Sequence, residues 1–306
     1  MSKVYDVLII GGGPCGYTAA IYAARSGLTA AVVEKLAPGG QMSTTSQIEN
    51  YPGFPDGVDG FTLGEQMQQQ AEKAGAETIY AEVRKVDLAA APKVVETSEG
   101  VLEGKTVIIA TGANPRKLGI AQEDSLINRG ISYCATCDGD FYKGKTVVVN
   151  GGGNTAVGDA LYLAKLASSV TLVHRRDALR APASSVEKLE QSGVKIQWDS
   201  VITALTADKK LTGVELKNVK TGETQVIPAD GLFVAIGRVP ESGLFKGQVE
   251  LDPSGYVVAG EDTKTSLPGV FAAGDVRTKT VRQIVTAVGD AAVAVHYAED
   301  YLNRQK

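Results

Sequence analysis

The chain has 306 residues, a length suited to two domains of ordinary size. Hydrophobic residues make up 43%, charged residues 22%, and the net charge is −4, an ordinary globular composition that excludes a basic nucleic-acid surface as the main function. Three cysteines are too few for a disulfide-stapled scaffold, and the apolar run at residues 7–10 is too short for a signal h-region or a membrane span, so a cytoplasmic protein is expected.

In chain order, residues 4–10 read as a buried strand that runs into Gly11-Gly12-Gly13-Pro14-Cys15-Gly16. An Ala-rich helix over 17–26 follows, closed by Gly27, and then a second strand over 29–33 with Glu34 at its end. Residues 38–55 form a Gly- and Pro-rich loop, followed by an amphipathic helix near 62–74 and short strands around 77–87 and 92–99. A strand at 107–110 enters the turn Thr111-Gly112-Ala113. The opening pattern then returns: a strand at 145–150, Gly151-Gly152-Gly153-Asn154-Thr155-Ala156, a helix to about 167, and a strand at 170–173 ending at His174. A strand at 232–236 meets Gly237-Arg238-Val239-Pro240, a short strand at 271–275 ends in a turn, and 283–302 is the C-terminal helix.

Glu34 lies 23 residues after Gly11, and His174 lies the same 23 after Gly151. Two βαβ units with one geometry predict an α/β fold of two Rossmann-like dinucleotide-binding domains. The glycine turns after the strands at 107–110 and 232–236 mark the crossings. The second domain, residues 113–242, is therefore read as inserted into the first, residues 1–112 and 243–306.

In the first loop Gly11 allows the tight turn, Gly13 admits a pyrophosphate, and Gly16 lets helix and strand pack closely. The helix N-terminus adds free N–H groups and a partial positive charge. Glu34 is placed to accept from ribose hydroxyls. In the second loop Gly151, Gly153 and Ala156 fill the three positions, but the acid is replaced by His174, followed by Arg175 and Arg176, with Arg180 four residues on. Guanidiniums suit a 2′-phosphate, so NADPH is expected over NADH.

Cys134 and Cys137 stand just before the second unit's first strand. As half of a zinc site they would need two more ligands, and of Cys15, His174 and His296 the first two are committed elsewhere; no metal is expected. As a reversible disulfide they close a small ring and permit a low-pKa thiolate. Asp138 follows directly and is placed to move a proton, with Asp140 a second acid nearby. Two buried free cysteines is the third reading. Cys15 reads as a small buried filler, Trp198 as packing in a strand, and His296 as a surface or dimer-face residue.

With these residues in view, the chain resembles the bacterial-type, low molecular weight thioredoxin reductases over essentially its whole length. The resemblance is carried by GGGPCG (11–16), GGQMSTTSQIENYPGFP (39–55), ATGANPR (110–116), CATCDG (134–139), GGGNTA (151–156), HRR (174–176), AIGRVP (235–240) and GVFAAGDV (269–276). It implies FAD in the first domain and NADPH in the second. Gln41 and Asn50 would lie near the flavin ring, Asp275 at the ribityl–phosphate region, and Arg282, Gln283 and Ile284 would complete the ring pocket. Pro14, Gly40, Gly112, Gly274, Asn154, Thr155 and Gly237, inside the same motifs, are further expected cofactor contacts.

The resemblance also implies that Cys134–Cys137 is the catalytic disulfide, Asp138 its acid, and thioredoxin the protein substrate. It implies a homodimer whose domains rotate between half-reactions about hinges near 112–116 and 237–242. Another small disulfide client, glutaredoxin-like or peroxidase-linked, and a ferredoxin-linked reductase are the alternatives; a non-catalytic redox sensor is a third. Two departures stand out: Pro182 and Ala183 where relatives usually carry charged or polar residues, and Val281 where many carry Tyr.

Overall fold

The computed structural model describes residues 3–45 and 47–305. The chain divides into two units, Met1–Asn114 with Val239–Lys306, and Pro115–Arg238. The first opens with β1 (Val4–Ile10), α1 (Pro14–Arg25), β2 (Ala30–Glu34), α2 (Gly60–Lys73), β3 (Glu77–Tyr80), β4 (Val83–Asp87), β5 (Lys93–Thr97) and β6 (Gly100–Ile109). After β7 (Ala113–Pro115) the second unit holds β8 (Ile131–Ser132), α3 (Ala135–Asp138), β9 (Thr146–Asn150), α4 (Asn154–Leu163), β10 (Ser169–Val173), α5 (Ala183–Gln191), β11 (Lys195–Gln197), β12 (Ser200–Ala207), β13 (Leu211–Asn218), β14 (Thr224–Pro228) and β15 (Gly231–Val234). The chain then passes through β16 (Arg238–Pro240) and completes the first unit with β17 (Val270–Ala272) and α6 (Ile284–Asn303).

In the first unit the strand order is β3-β2-β1-β6-β5-β4, with β17 also paired to β6. Strands β1, β2, β3, β6 and β17 run parallel, whereas β4, β5 and β6 are antiparallel. Val7 and Ile9 of β1 enter one core and Leu8 and Ile10 the other. Both faces of the sheet are covered, so the strand reads as an unbroken apolar run rather than an alternation. Ala19, Ala20 and Ala23 of α1 share a core with Ala287, Ala291, Ala294 and Ala298 of α6, and these small side chains let the two helices approach closely.

Helix α1 starts at Pro14, three residues before the position the periodicity predicts. Proline at the first helical position has its φ already set and lacks an N–H that would have no partner there, so the glycine loop itself becomes the helix cap. Helix α2 starts after Asp59, whose carboxylate accepts from the Thr62 N–H at 2.8 Å.

The second unit repeats the plan. Its parallel sheet has the order β11-β10-β9-β15-β8, matching β3-β2-β1-β6 in its first four strands. A three-stranded antiparallel layer, β12-β13-β14, accompanies it. Helix α4 ends at Leu163, earlier than the spacing predicts, because the Leu166 carbonyl is taken by the Gly144 N–H at 2.9 Å and the Ser168 N–H goes to Lys145 O at 2.9 Å. Trp198 lies in the turn after β11, not in a strand, with its ring edge-on to His174 at 6.4 Å between centroids. The two connecting segments, β7 and β16, pair as a ribbon. Among the described residues no helix is long and apolar enough to cross a membrane.

Candidate functional site

The first glycine loop is shaped by close backbone approaches. Gly11 takes φ +110°, and a Cβ at Gly16 would fall 1.8 Å from Gly11 O, so neither position has room for a side chain. Gly13 caps α1 without any side-chain hydrogen bond, and the first turn carries no acidic residue. The free N–H groups there contrast with the capped start of α2 and fit an anion such as a pyrophosphate. A Cβ at Gly13 would have nothing nearer than Gly39 O at 4.0 Å, so the approach to these donors is open. Gly40 packs against Gly13, its imagined Cβ 3.3 Å from Gly13 Cα.

Glu34 ends β2 half-buried. Its Oε2 accepts from the Gly12 N–H at 2.7 Å and its Oε1 from the Leu36 N–H at 3.1 Å. The carboxylate is thus fixed against the loop while each oxygen keeps a lone pair for a ribose hydroxyl.

The second loop copies this arrangement with different chemistry. Gly153 caps α4 with no side-chain bond and no acid in the first turn, and a Cβ there would meet nothing within 4 Å. Asn154 and Thr155 are exposed beside it. His174 is buried and stands where Glu34 stands in the first unit, against the middle glycine. A Cβ at Gly152 would lie 2.1 Å from the His174 ring, as one at Gly12 would lie 2.8 Å from Glu34 Oε2. The His174 ring nitrogen Nε2 pairs with Ala178 O at 3.1 Å, and burial pulls its pKa down, so the ring is a neutral packing group rather than a cation. Arg175, Arg176 and Arg180 are all exposed, and the Arg180 N–H bonds Gly152 O at 2.7 Å. The positive charge near this loop comes from the three arginines.

The residues expected at a flavin ring meet in pairs. Asn50 donates to Gln283 Oε1 at 3.2 Å. Arg282 stacks on the Tyr256 ring at 4.1 Å and donates to the backbone carbonyls of Asp275 and Arg277, each at 3.3 Å. Gln41 instead donates to Asn114, which in turn reaches Glu241. Ile284 opens α6 behind a reciprocal cap between Gln283 and Thr286. Gly274 takes φ +76°, as does Gly112 at +75°, while Gly237 takes +108° in the second connection. Val281 is exposed.

Cys134 and Cys137 form a disulfide, with 5.3 Å between their Cα atoms. Cys134 caps the short helix α3, and Asp138 ends it. The following Gly139 packs on Tyr162 of α4, the helix that begins at the second glycine loop. Disulfide and loop are therefore built into one unit. Burial pushes the Asp138 carboxyl above the usual range, partly countered by a 2.6 Å hydrogen bond from Ser132 Oγ. The third cysteine, Cys15, is buried and free; burial raises its pKa, so it is an inert thiol.

Four features escape the sequence reading. Gly12 and Gly152 make room for the strand-end residues, and their repetition in both loops is a usable signal. Asp290 lies on the buried stripe of α6 among alanines, where a lone acid signals a buried partner. Ser132 carries no signal. Asp159 of α4 is pushed up to about 6 by burial, held back by Arg238.

A profile described as pyridine nucleotide-disulphide oxidoreductase matches residues 5–291. A thioredoxin reductase of Streptomyces coelicolor is 47% identical over 306 residues, covering 99% of this chain and 95% of its own length. One from Treponema pallidum is 42% identical, covering 99% of each chain. Among solved structures, the thioredoxin reductase of Streptococcus pyogenes superposes with a TM-score of 0.91 at 43% identity, covering 99% of this chain and all of the other. The chain belongs to the pyridine nucleotide-disulphide oxidoreductase family, among its thioredoxin reductases.

Proposed function

We propose that this chain passes electrons from NADPH, by way of FAD, to the Cys134–Cys137 disulfide and on to the disulfide of thioredoxin. The reading is carried by one observation: the disulfide, a half-buried acid and an arginine-flanked glycine loop occupy the same unit, while the Glu34 loop occupies the other.

Gly11, Gly13, Pro14 and Gly16 would hold the FAD pyrophosphate and Glu34 its ribose. Gly40, Gln41, Asn50, Gly112, Gly274, Asp275, Arg282, Gln283 and Ile284 would line the rest. Gly151, Gly153, Asn154, Thr155 and Gly237 would hold NADPH, with Arg175, Arg176 and Arg180 on its 2′-phosphate and His174 bracing the loop. Held by these residues, FAD would supply the two-electron chemistry that links hydride donation by a reduced nicotinamide to the reduction of a disulfide.

Two electrons at Cys134–Cys137 break the S–S bond, and Asp138 supplies a proton to one of the two sulfurs. The other, as thiolate, attacks the client disulfide to give a mixed disulfide, and its neighbour then resolves it. The inserted unit turns between half-reactions about residues 112–116 and 237–242. The enzyme works as a homodimer in the cytoplasm, a reading supported by the resemblance to its relatives.

The test is direct. Purified protein should be yellow, NADPH should bleach it far better than NADH, and thioredoxin should sustain NADPH oxidation. A colourless preparation that cannot take up FAD would overturn the proposal.

A further inference from the structure

We propose that Ser132 is a positioning residue that keeps Asp138 satisfied in both protonation states and couples that state to the backbone of Cys134. The inference rests on the reading of Asp138 as the acid of the disulfide.

Ser132 sits on β8, buried, two residues before the first redox cysteine. Its Oγ accepts from the Cys134 N–H at 3.0 Å. The same oxygen lies 2.6 Å from Asp138 Oδ2 and 3.2 Å from Cys134 O, both acceptors. A hydroxyl has one proton and two lone pairs. It can serve only one of the two acceptors at a time.

With Asp138 charged, the stronger acceptor wins and the hydroxyl points at Oδ2. With Asp138 protonated, the carboxyl itself becomes the donor. It gives its proton to the free lone pair of Ser132 Oγ, and the serine proton turns to Cys134 O. That carbonyl already takes the Asp138 N–H at 3.1 Å and the Cys137 N–H at 3.3 Å, bonds long enough to leave it receptive. All heavy atoms stay in place in both states, and no buried polar group is stranded. A half-buried acid can then cycle without rearranging the loop that carries the disulfide.

Other groups around the carboxyl do not offer this exchange. Tyr142, on the next turn, feels the Asp138 charge and that of Asp230, and its hydroxyl is pushed up to about 12 mainly by burial. Asp140 is exposed. From α4, Tyr162 lies against Gly139, and Asp159 is influenced by Arg238.

The test uses the intact holoenzyme with cysteine labelled by ¹³C at the carbonyl, followed by infrared difference spectroscopy across a pH titration. The Asp138 carboxylic band is identified by its loss in Asp138→Asn. The Cys134 carbonyl band should move to lower frequency as the Asp138 band appears, with Cys15 and Cys137 as references. Ser132→Ala should abolish that coupled movement. It also removes a bond to the charged carboxylate, so the alkaline limb of thioredoxin reduction should rise by about one pH unit. Ser132→Thr, which keeps the hydroxyl, should restore both. A Cys134 band that stays still while Asp138 titrates overturns the inference, and that measurement needs no variant at Ser132. A pH profile unchanged by Asp138→Asn overturns it differently, by removing Asp138 as the acid.

Discussion

Arg277 closes on Asp290 with two guanidinium nitrogens, Nε to Oδ2 and Nη2 to Oδ1, each at 2.7 Å. Lys279 Nζ reaches Oδ2 at 2.8 Å, and the Gly274 N–H reaches it at 2.9 Å. The Arg277 and Lys279 side chains are only 5% and 8% exposed. One carboxylate on α6 thereby fixes the turn that carries Gly274 and Asp275.

Asp290→Ala leaves two buried cations without that carboxylate and should destabilise the fold by about 3–5 kcal/mol. Burial alone would raise the Asp290 pKa, but the bonds from Arg277 and Lys279 prevail and hold it low. A depressed carboxyl stabilises the fold above its unfolded value, and the gain fades as pH falls through its folded value. Urea unfolding of wild type between pH 7 and pH 3 should show that acid loss, and Asp290→Asn should flatten it.

Cys137→Ser should abolish thioredoxin-coupled NADPH oxidation, because no second sulfur remains to form or resolve the disulfide. Flavin bleaching by NADPH should persist. Stopped-flow absorbance separates the two events, and full turnover by the variant would refute the assigned route.

Gly152→Ala forces the His174 ring to move, since no void exists at that Cβ position. NADPH binding should weaken by roughly tenfold or more, with FAD content unchanged. Gly12→Ala should show the reverse pattern, losing FAD through a displaced Glu34. Flavin-to-protein absorbance ratios and nucleotide titrations report both.

Removing the guanidiniums of Arg175 and Arg176 should lower the NADPH-over-NADH preference by about tenfold or more for each charge-assisted hydrogen bond to the 2′-phosphate that disappears. The change should appear in KM for NADPH, with NADH kinetics little altered.

Asp159 behaves oppositely to Asp290. Its folded pKa is raised, so ionisation opposes folding as pH climbs from the ordinary carboxylate value to about 6. Asp159→Asn should stabilise the protein at pH 7.5 by about 3 kcal/mol and have little effect near pH 4. Thermal unfolding at the two pH values decides it.

The parts of this site that depend on local spacing are legible in the sequence. Both βαβ units and the residue that ends each second strand follow from distances along the chain, whereas spacing alone leaves the Cys134 and Cys137 pair open between zinc, a disulfide and free thiols, and only the resemblance implies the bond that the structure holds. What depends on contacts across the fold is not. Nothing near Asp290 announces Arg277 and Lys279, which lie on a loop before the helix. Ser132 looks like any strand residue until the turn at Asp138 brings a carboxyl back to it. The early start of α1 is hidden because proline and glycine usually signal breaks, whereas here they make the cap. The arginines beside His174 suggest a shared cationic role, yet burial makes the imidazole neutral.

Strand β6 has a split allegiance: residues 100–104 pair with β5, while Val107–Ile109 pair with β17, with Val107 opposite Val270. During synthesis the ribosome releases the first partner well before the second. For that interval the far half of β6 offers a bare row of amide donors and acceptors, the kind of template on which strands from neighbouring polypeptides stick. The intervening unit must emerge and collapse before the missing strand arrives. Truncation after β16 should therefore yield insoluble or chaperone-bound material rather than a soluble fragment.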